Sequence, residues 1–464
     1  MTSVHWISLD EHGWISLHEH EEKSVSKITA NLNSCLETLK MESSKDHNLH
    51  PRERQQQEAA HLGLHLYNGH IHASSYVGQV WLDQSNNIAT RVKPRQNVDQ
   101  FRMVNKCLEN PSAGKYLLKN GLHLFSENPP LPVKNEDKSF PLYLLIARYL
   151  SELSMLCKRH IKRGFPRTEQ NLTGRCKGSV RIKQNIIHNT AKGRKDRLFC
   201  QFQTHSIDTP TNQILKAALE QSLRFLRRHF QTTSWDSLWS WAGESSASLR
   251  EVTLRRIHPS EFQQMQCKGL MKVYKQPLNL ARIILRALGN DPNNPPDRYA
   301  QVMLPPYAID MNELFERYCE ALLRQKYGND LWAGYGYEDK NGFKIGNNQG
   351  IRPDFLLKKQ DKAGGHRGWV LDAKYKFDPR QHFLKEDIAQ VCLYARAYRT
   401  REKLNLEPQQ EPSCLILMYP DPNKEMLRES IKDPLKQMEN KNMDEKSEYF
   451  DKLYKALVPI PKID

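Results

Sequence analysis

Hydrophobic and other positions alternate with a period of two soon after residue 57. Residues 62–66 alternate between leucine and other residues, Asn68-Gly69 follows, and residues 71–77 alternate again. Because Asn and Gly both tolerate the positive φ angles of a type I′ turn, this pattern predicts a β-hairpin. Two more runs, at 77–82 and 88–93, predict further strands. This part of the chain is therefore predicted to be rich in β-structure.

The middle of the chain has helical spacing instead. Residues 141–163 and 213–230 carry apolar side chains three and four positions apart. The segment Asp208-Thr209-Pro210-Thr211-Asn212 precedes the second of these runs, and Asp, Thr and Asn are residues that cap helix N-termini. We therefore predict a mostly helical middle domain.

The C-terminal third alternates between helices and strands. The pattern predicts, in chain order, a helix at 311–326, strands at 351–358 and 369–377, a helix at 382–401 and a buried strand at 414–419. This order of elements predicts an α/β unit, and the 464-residue chain as a whole is predicted to be a multidomain α+β protein. The expected segments are a polar, poorly ordered extension at 1–57 with a helix near 25–41, a β-rich domain at 58–132, a mostly helical basic domain at 133–305, an α/β domain at 306–425 and a tail at 426–464.

Neither a membrane span nor a secretory leader is predicted. The longest apolar run, Phe140–Leu150, is broken by Arg148 and is shorter than the roughly 20 residues that cross a bilayer. The N-terminus lacks the basic flank and apolar core of a secretory signal, and the nine cysteines contain no C-x-x-C pair. We expect a cytoplasmic protein with reduced thiols and no membrane partner.

Basic residues are in excess and are concentrated in one block. The chain carries 69 Lys or Arg against 53 Asp or Glu, a net charge of +16, which favours polyanionic partners. Residues 151–200 hold 13 of these basic residues and 3 acidic ones, a net charge of +10. This local excess predicts contact with DNA phosphates, whereas a solvated surface or a surface facing an acidic partner protein is the alternative. The candidate DNA-binding residues are Arg159, Lys162, Arg163, Arg167, Arg175, Lys177, Arg181 and Lys183.

The candidate chemistry lies on two predicted strands of the C-terminal third. Asp354 lies in the first, and Asp372 and Lys374 lie two positions apart in the second, so their side chains share one face. If the strands are neighbours, two carboxylates and a carbonyl oxygen form a site suited to Mg²⁺ or Mn²⁺. A metal there would polarise a phosphodiester and generate hydroxide, while Lys374 would orient that nucleophile and stabilise charge at phosphorus. The pattern indicates phosphodiester hydrolysis.

Acid-x-Lys is a common pattern, so an alternative stays open. Only Asp372 follows an apolar strand start, whereas other matches, such as Glu21–Lys23, Glu136–Lys138, Glu338–Lys340 and Asp444–Lys446, lie in polar segments. A solvent-facing ion pair at a sheet edge is the alternative for Asp372 and Lys374. Histidines also cluster around the predicted hairpin, where His65 and His72 are expected to be cross-strand neighbours; we interpret them as a polar face and assign no metal.

Six short motifs between about residues 60 and 420 form a set. They are Val77-Gly78, Asp208-Thr209-Pro210-Thr211-Asn212, Leu314-Phe315-Glu316, Arg352-Pro353-Asp354, Val370-Leu371-Asp372-Ala373-Lys374-Tyr375-Lys376, and Asp387-Ile388-Ala389-Gln390 with Tyr394. Together they resemble the McrC family, the nuclease subunits of McrBC modification-dependent restriction systems. The resemblance implies that residues 306–425 form a PD-(D/E)xK restriction-endonuclease-like core.

The resemblance also implies site roles and partners. Asp354 and Asp372 would bind Mg²⁺, and Lys374 would be the catalytic lysine. Glu316 and Gln390 would be auxiliary site residues, although a solvated helix position for Glu316 and a strand cap for Gln390 are alternatives. The implied substrate is double-stranded DNA carrying a modified base such as 5-methylcytosine, as in antiphage defence. The implied partner is an AAA+ GTPase hexamer of the McrB type that binds the N-terminal region, here 58–132, and this chain contains no P-loop of its own.

The preferred interpretation is a Mg²⁺-dependent DNA endonuclease subunit that acts with a GTPase ring and stimulates it. A second interpretation is a non-catalytic adaptor that activates the ring. A third is a stand-alone DNA repair nuclease of the same fold.

Overall fold

The computed structural model of the chain describes most of the segments in which elements were predicted. The described residues are 4–16, 59–60, 62–67, 70–85, 87–125, 127–133, 139–159, 161–230, 236–262, 267–289, 302–334, 343–345, 349–351, 353–360, 366–377, 385–407, 410, 412, 414–421 and 453–463. The helix predicted near 25–41, the turn Asn68-Gly69, Arg352 and much of the predicted tail lie outside them.

The described residues form a mixture of helices and several sheets. The strands are β1 (His5–Asp10), β2 (Trp14–Ser16), β3 (His65–Tyr67), β4 (His70–His72), β5 (Tyr76–Asp83), β6 (Ile88–Lys93), β7 (Leu122–Leu124), β8 (Leu131–Val133), β9 (Arg167–Thr173), β10 (Ser179–Val180), β11 (Arg197–Gln203), β12 (Val302–Leu304), β13 (Tyr307–Asp310), β14 (Leu331–Ala333), β15 (Phe343–Ile345), β16 (Gln349–Ile351), β17 (Phe355–Gln360), β18 (His366–Ala373), β19 (Cys414–Asp421) and β20 (Leu453–Pro459). The α-helices are α1 (Gln100–Glu109), α2 (Pro111–Tyr116), α3 (Ser139–Lys158), α4 (Ile182–His188), α5 (Pro210–His229), α6 (Asp236–Ser248), α7 (Lys275–Leu288), α8 (Met311–Tyr327), α9 (Lys385–Arg396) and α10 (Tyr398–Lys403).

The chain divides into two compact units. The first contains Met1–Leu131, Ser234–Ser237 and Pro305–Asp464, and the second contains Pro132–Thr233 and Leu238–Leu304. The predicted β-rich and α/β domains both lie in the first unit, and the second unit falls almost entirely within the predicted helical span. The protein is thus a mixed α/β multidomain protein.

In the first unit, one sheet is built from the N-terminal strands. Its order is β1-β6-β5-β13-β7, with β1 parallel to β6 and β5 antiparallel to both β6 and β13. Gly78 of the Val77-Gly78 motif pairs with Ala308, and a Cβ atom at this position would collide with the Tyr307 carbonyl oxygen. The motif therefore permits the close approach of β13.

The N-terminal strand differs from the sequence expectation. Residues 5–10 form β1 and pair with β6, although they lie within the predicted extension at 1–57. Leu9 is the apolar residue of β1 that is fully buried, so the strand has almost no period-two signal of its own. Pairing with β6 stabilises this strand, which the local hydrophobic pattern does not predict. The predicted hairpin is confirmed, since β3 and β4 pair antiparallel and place His65 opposite His72.

A second sheet of the first unit carries the candidate chemistry. Its order is β14-β17-β18-β19-β20, in which β14, β17 and β18 are antiparallel neighbours and β18, β19 and β20 are parallel. Both predicted strands and the strand after them are confirmed, whereas β20 lies in the predicted tail. Helices α9 and α10 replace one predicted helix, because Ala397 adopts an extended conformation between them. The core of this sheet comprises Leu356, Val370, Val391, Tyr394, Ala395, Leu404, Leu417, Tyr419 and Leu453.

The second unit combines packed helices with a small sheet. Helices α3, α5 and α7 contact one another, and β10, β11 and β9 form a three-stranded antiparallel sheet. As predicted, Thr209 caps α5 by accepting a hydrogen bond from the backbone N–H of Asn212. Among the described residues, the segment Phe140–Lys158 is long and apolar enough to cross a membrane by length and composition, but 72% of it is buried inside the protein. Buried core helices meet the same criteria, so this is weak evidence for a span.

Candidate active site

The end of the β17–β18 pair brings the two predicted carboxylates together. The register places Phe355 opposite Leu371, so Asp354, directly before β17, lies beside the last residues of β18. Its Oδ2 accepts a hydrogen bond of 2.7 Å from the backbone N–H of Ala373. Fully buried residues of both strands flank the two acids, so local packing holds this end of the sheet in place.

Asp372 is a fully buried acid with few partners. Its relative exposure is 0%, and its Oδ1 has no hydrogen bond to the described protein atoms. Its Oδ2 forms an ion pair with Lys374 Nζ at 2.7 Å, but the angles at this contact do not meet those of a hydrogen bond. Burial raises the pKa of the Asp372 carboxyl well above its ordinary value, and the neighbouring Asp354 carboxylate raises that pKa further. Lys374 acts in the opposite direction but does not outweigh burial. Asp372 is therefore an acid that a cation would stabilise.

Lys374 follows β18 and points into the same site. Its backbone N–H donates to the Met418 carbonyl oxygen over 2.8 Å, and its Nζ donates to Gln390 Oε1 over 2.8 Å. Burial lowers the pKa of the Lys374 ammonium, but the carboxylates of Asp372 and Asp354 outweigh burial and raise it overall. Lys374 is thus held as a cation that donates hydrogen bonds.

Helix α9 supplies the predicted auxiliary residue Gln390. Its amide nitrogen donates to the Tyr394 hydroxyl one turn further along the helix, which leaves its amide oxygen for Lys374. The start of α9 is anchored by Asp387, whose carboxylate accepts from Lys376 Nζ at 2.8 Å and 3.1 Å and from the Tyr419 hydroxyl at 3.0 Å. These contacts orient the helix face that carries Gln390.

Glu316, the second predicted auxiliary residue, has its described contact within helix α8. Its carboxylate pairs with Arg317, and no described contact joins it to Asp354, Asp372 or Lys374. The acid of helix α8 that is electrostatically close to the site is Glu313, one turn earlier. Burial raises the pKa of Glu313 to about 7, with the Asp354 carboxylate among the causes that raise it and Arg317 opposing them.

Glu313 and Arg317, one turn later on the same helix, were not predicted as site residues from the sequence. Arg317 is fully buried, its Nε lies 2.9 Å from Glu313 Oε1, its Nη1 lies 2.6 Å from Glu320 Oε2, and its guanidinium lies over the Tyr116 ring. Their spacing of three and four residues on one helix was an available signal. The proximity of Glu313 to Asp354 could not be predicted from the sequence, because it depends on tertiary packing.

The residues present fit a hard divalent cation. Two carboxylates converge, one of them buried with an oxygen that lacks a hydrogen bond, and Mg²⁺ binds through one or two carboxylates while keeping several waters. Asp354 and Asp372 are the residues that would hold it. The described part of the chain contains no cluster of three or more His, Cys, Asp or Glu able to hold a metal, so a site built entirely from protein side chains is not seen there.

The predicted DNA-binding residues lie in the second unit. Arg167 starts β9, Arg175 and Lys177 lie between β9 and β10, and Arg181 and Lys183 lie at the start of α4. Arg181 Nε lies 3.1 Å from Glu169 Oε1, and Lys177 Nζ lies 4.5 Å from the centre of the Phe202 ring.

The remaining three predicted residues, Arg159, Lys162 and Arg163, follow α3, and the backbone of Lys162 is tied to Tyr274 and Asn212. Next to the basic residues, Ile182 is 72% exposed. The basic residues therefore border an exposed apolar surface.

Comparisons with known proteins agree with the motifs. Residues 71–420 match the family described as "McrBC 5-methylcytosine restriction system component". Among proteins of curated function, none matches the chain. The chain is similar to a chain of the half-complex from the tetradecameric assembly of Thermococcus gammatolerans McrB AAA+ hexamers with bound McrC, with 16% identity, a TM-score of 0.39 and coverage of 98% of this chain and 94% of that one. It is also similar to a chain of the Thermococcus gammatolerans McrBC complex solved by cryo-EM, with 16% identity, a TM-score of 0.28 and coverage of 68% and 87%. Because the family match spans most of the sequence, the chain belongs to the McrBC restriction-system component family.

Proposed function

We propose that the protein is the Mg²⁺-dependent DNA endonuclease subunit of a modification-dependent restriction system, with a PD-(D/E)xK core in its C-terminal part. The observation that carries the proposal is the convergence of Asp354, Asp372 and Lys374 at one end of the β17–β18 pair, with Gln390 on Lys374. An ion pair at a solvent-facing sheet edge would not have one partner fully buried, as Asp372 is.

The chemistry follows from the protonation and placement of these groups. Asp354 and Asp372 would hold Mg²⁺, whose chemistry when bound would be polarisation of the scissile phosphodiester. Lys374 is kept protonated, so it donates a hydrogen bond to the attacking water and to the non-bridging oxygens on which charge develops, rather than removing a proton. Gln390 limits the directions that the ammonium can take.

The partner in this proposal is an AAA+ GTPase ring of the McrB type. Membership of the McrBC family supports it, as does the absence of a P-loop from the sequence. We assign ring contact to the β-rich span 58–132 and expect the assembly in the cytoplasm. The basic residues near α4 would bind DNA phosphates without reading bases, because the phosphate backbone carries the same charge at every base pair.

The test compares matched lysine and aspartate variants in the reconstituted complex. Asp372→Ala and Lys374→Ala should abolish cleavage of methylated plasmid DNA in Mg²⁺ and GTP, while co-purification with the ring and GTPase stimulation persist. Lys358→Ala is the control, because Lys358 is exposed on β17 and its described side-chain hydrogen bond is to Asn405 at 3.1 Å.

Three outcomes would replace the proposal. Intact restriction by both site variants, with loss of restriction on deleting residues 60–130, would indicate an adaptor. Cleavage by the purified chain without nucleotide or ring would indicate a stand-alone repair nuclease. Unchanged cleavage by the site variants would show that the site lies elsewhere.

A further inference from the structure

The segment that follows the proposed catalytic strand is held from two sides. Strand β18 ends at Ala373, and directly after it the backbone N–H of Lys374 still donates to the Met418 carbonyl oxygen of β19. Lys374 and Lys376 contact Gln390 and Asp387 of α9. The alternate residues Tyr375 and Phe377 make different contacts, with the N-terminal part of the chain.

Tyr375 reaches a buried acid between β1 and β2. Its hydroxyl donates to Glu11 Oε2 over 3.2 Å, and Glu11 is only 2% exposed. The backbone N–H of Arg95 lies 3.5 Å from the same oxygen. The Arg95 guanidinium lies 4.2 Å from the centre of the Phe377 ring and 5.9 Å from that of Tyr375. We refer to Glu11, Arg95, Tyr375 and Phe377 as the Glu11 cluster.

The Glu11 cluster also contacts helix α8. The Phe315 ring packs against Tyr375 with centroids 5.7 Å apart, and Phe315 lies between Glu313 and Arg317 along the helix. Tyr375 thus joins three elements: the loop that carries Glu11, helix α8 and the segment that begins with Lys374. All of these residues belong to the first unit.

We propose that Glu11 and Arg95 are positioning residues for the nuclease reaction, which act through Tyr375 to fix the backbone that carries Lys374. The inference rests on the proposed function, because it assumes that Lys374 takes part in catalysis. Contacts with α9 on the one hand, and with the loop that carries Glu11 and helix α8 on the other, restrain the segment from different elements. Release of Tyr375 removes one of these restraints and leaves the α9 contacts, the backbone hydrogen bond from Lys374 to Met418 and the contact of Phe377 with Arg95. An angstrom-scale shift of a catalytic group changes a rate by up to about a hundredfold.

The position of the Glu11 cluster also gives the N-terminal strands a part in the active site. Glu11 follows β1, and Arg95 follows β6, the parallel neighbour of β1. Movement of this strand pair, including movement caused by a protein bound to it, is transmitted toward Lys374 through Tyr375 and Phe377. The β-rich sheet is therefore coupled to the rate of cleavage as well as to assembly.

The experiment compares two tyrosine variants and two glutamate variants in the reconstituted complex. Tyr375→Phe removes the hydroxyl that Glu11 holds, and Tyr149→Phe is the control, because the Tyr149 hydroxyl donates over 2.6 Å to Leu215 in the second unit and is equally buried. We expect Tyr375→Phe and Glu11→Ala to lower kcat by about tenfold with KM unchanged within about twofold. Tyr149→Phe should leave kcat unchanged. Glu11→Gln keeps an acceptor for Tyr375 and should restore kcat to within about twofold of wild type.

A second measurement does not depend on cleavage. Hydrogen exchange of the free chain should show faster exchange of the amides of residues 374–377 in Glu11→Ala than in wild type, by about tenfold, with no change in Glu11→Gln. Unchanged kcat in Tyr375→Phe, in a complex whose wild type cleaves DNA, would overturn the inference and leave the proposed function intact. Unchanged exchange at 374–377 would overturn it as well. A wild-type complex that does not cleave would overturn the proposed function, while the exchange measurement would still decide whether Glu11 restrains the segment.

Discussion

Two buried aspartates of the same sheet region should respond in opposite ways to one substitution. Asp372 is 0% exposed and has an oxygen without a hydrogen bond, whereas Asp387 is 3% exposed and accepts three hydrogen bonds, two from Lys376 and one from Tyr419. We predict that Asp372→Asn stabilises the first unit and that Asp387→Asn destabilises it. The contrast separates an acid that binds a ligand from an acid that holds the fold.

The magnitudes follow from the partners of each carboxylate. An unsatisfied buried polar group destabilises a fold by about 1–3 kcal/mol, and a buried charge destabilises it more. Asp372→Asn removes the charge, and the new amide nitrogen can donate to the Asp354 carboxylate that now repels Asp372. The substitution also removes the ion pair with Lys374 at 2.7 Å, although Lys374 keeps its hydrogen bond to Gln390, so we expect a net gain of about 1 kcal/mol, at the low end of that range. A hydrogen bond to a charged group contributes about 1.5–3 kcal/mol, so Asp387→Asn should lower the free energy of unfolding by about 1.5–3 kcal/mol.

The assay is denaturant unfolding at pH 8 in EDTA, followed by tryptophan fluorescence, with wild type and both variants measured side by side. Both aspartates lie in the first unit, so contributions from the second unit cancel in the comparison. Added Mg²⁺ should stabilise wild type and Asp387→Asn but not Asp372→Asn, because binding to the folded state alone raises the free energy of unfolding. Equal destabilisation by the two substitutions would refute the reasoning, since it would mean that the Asp372 carboxylate is as well satisfied as that of Asp387.

Three further predictions concern other parts of the protein. Burial raises the pKa of Glu11 from 4.5 to about 8, although Arg95 and Tyr375 lower it; His12 and Asp310 also face this carboxyl. Because the unfolded chain ionises Glu11 at a lower pH than the folded chain does, wild type should lose stability relative to Glu11→Gln as the pH rises from about 4.5 to 8. That loss should be on the order of 4 kcal/mol in urea titrations at several pH values, and a pH-independent difference between the two proteins would contradict it.

Removing Arg317 takes a counter-charge from Glu313 and from the buried Glu320, although Glu320 keeps its contact with Arg324 at 2.7 Å. Arg317→Met should therefore lower the free energy of unfolding by about 3 kcal/mol, and a loss below about 1 kcal/mol in denaturant unfolding would argue against this. Lys183 lies at the exposed start of α4, so Lys183→Ala should reduce the salt dependence of DNA affinity by about one counterion in filter binding. Substitution of the exposed Arg102 by alanine is the control and should not change the salt slope. Equal salt slopes for Lys183→Ala and wild type would exclude a phosphate contact at Lys183.

Elements with a strong pattern of their own were predictable from the sequence. Helix α8, strands β17, β18 and β19, and the β3–β4 hairpin were all predicted within a few residues of their observed bounds. Their apolar residues repeat with the period of the element and face one core, so the local pattern and the tertiary packing agree. Asp354, Asp372 and Lys374 could be singled out for the same reason, since polar residues that interrupt or directly flank a buried strand need partners.

Features that depend on contacts between distant segments were not predictable. Strand β1 has one fully buried apolar residue and is ordered by its pairing with β6, and β20 joins the sheet beside β19 from beyond residue 450. Glu313 and Glu316 are two glutamates of one helix, three positions apart, and the local sequence does not indicate which of them faces the site. Only the packing of α8 decides which of them approaches Asp354.

The central claim is that Lys374, beside Asp372, takes part in phosphodiester cleavage. The most direct measurement is the single-turnover rate of cutting of a methylated DNA duplex by the complex with its GTPase ring, in Mg²⁺, for wild type, Lys374→Ala and the control Lys358→Ala. We expect a loss of at least about a hundredfold for Lys374→Ala and wild-type rates for Lys358→Ala. Cleavage by Lys374→Ala at the wild-type rate would contradict it.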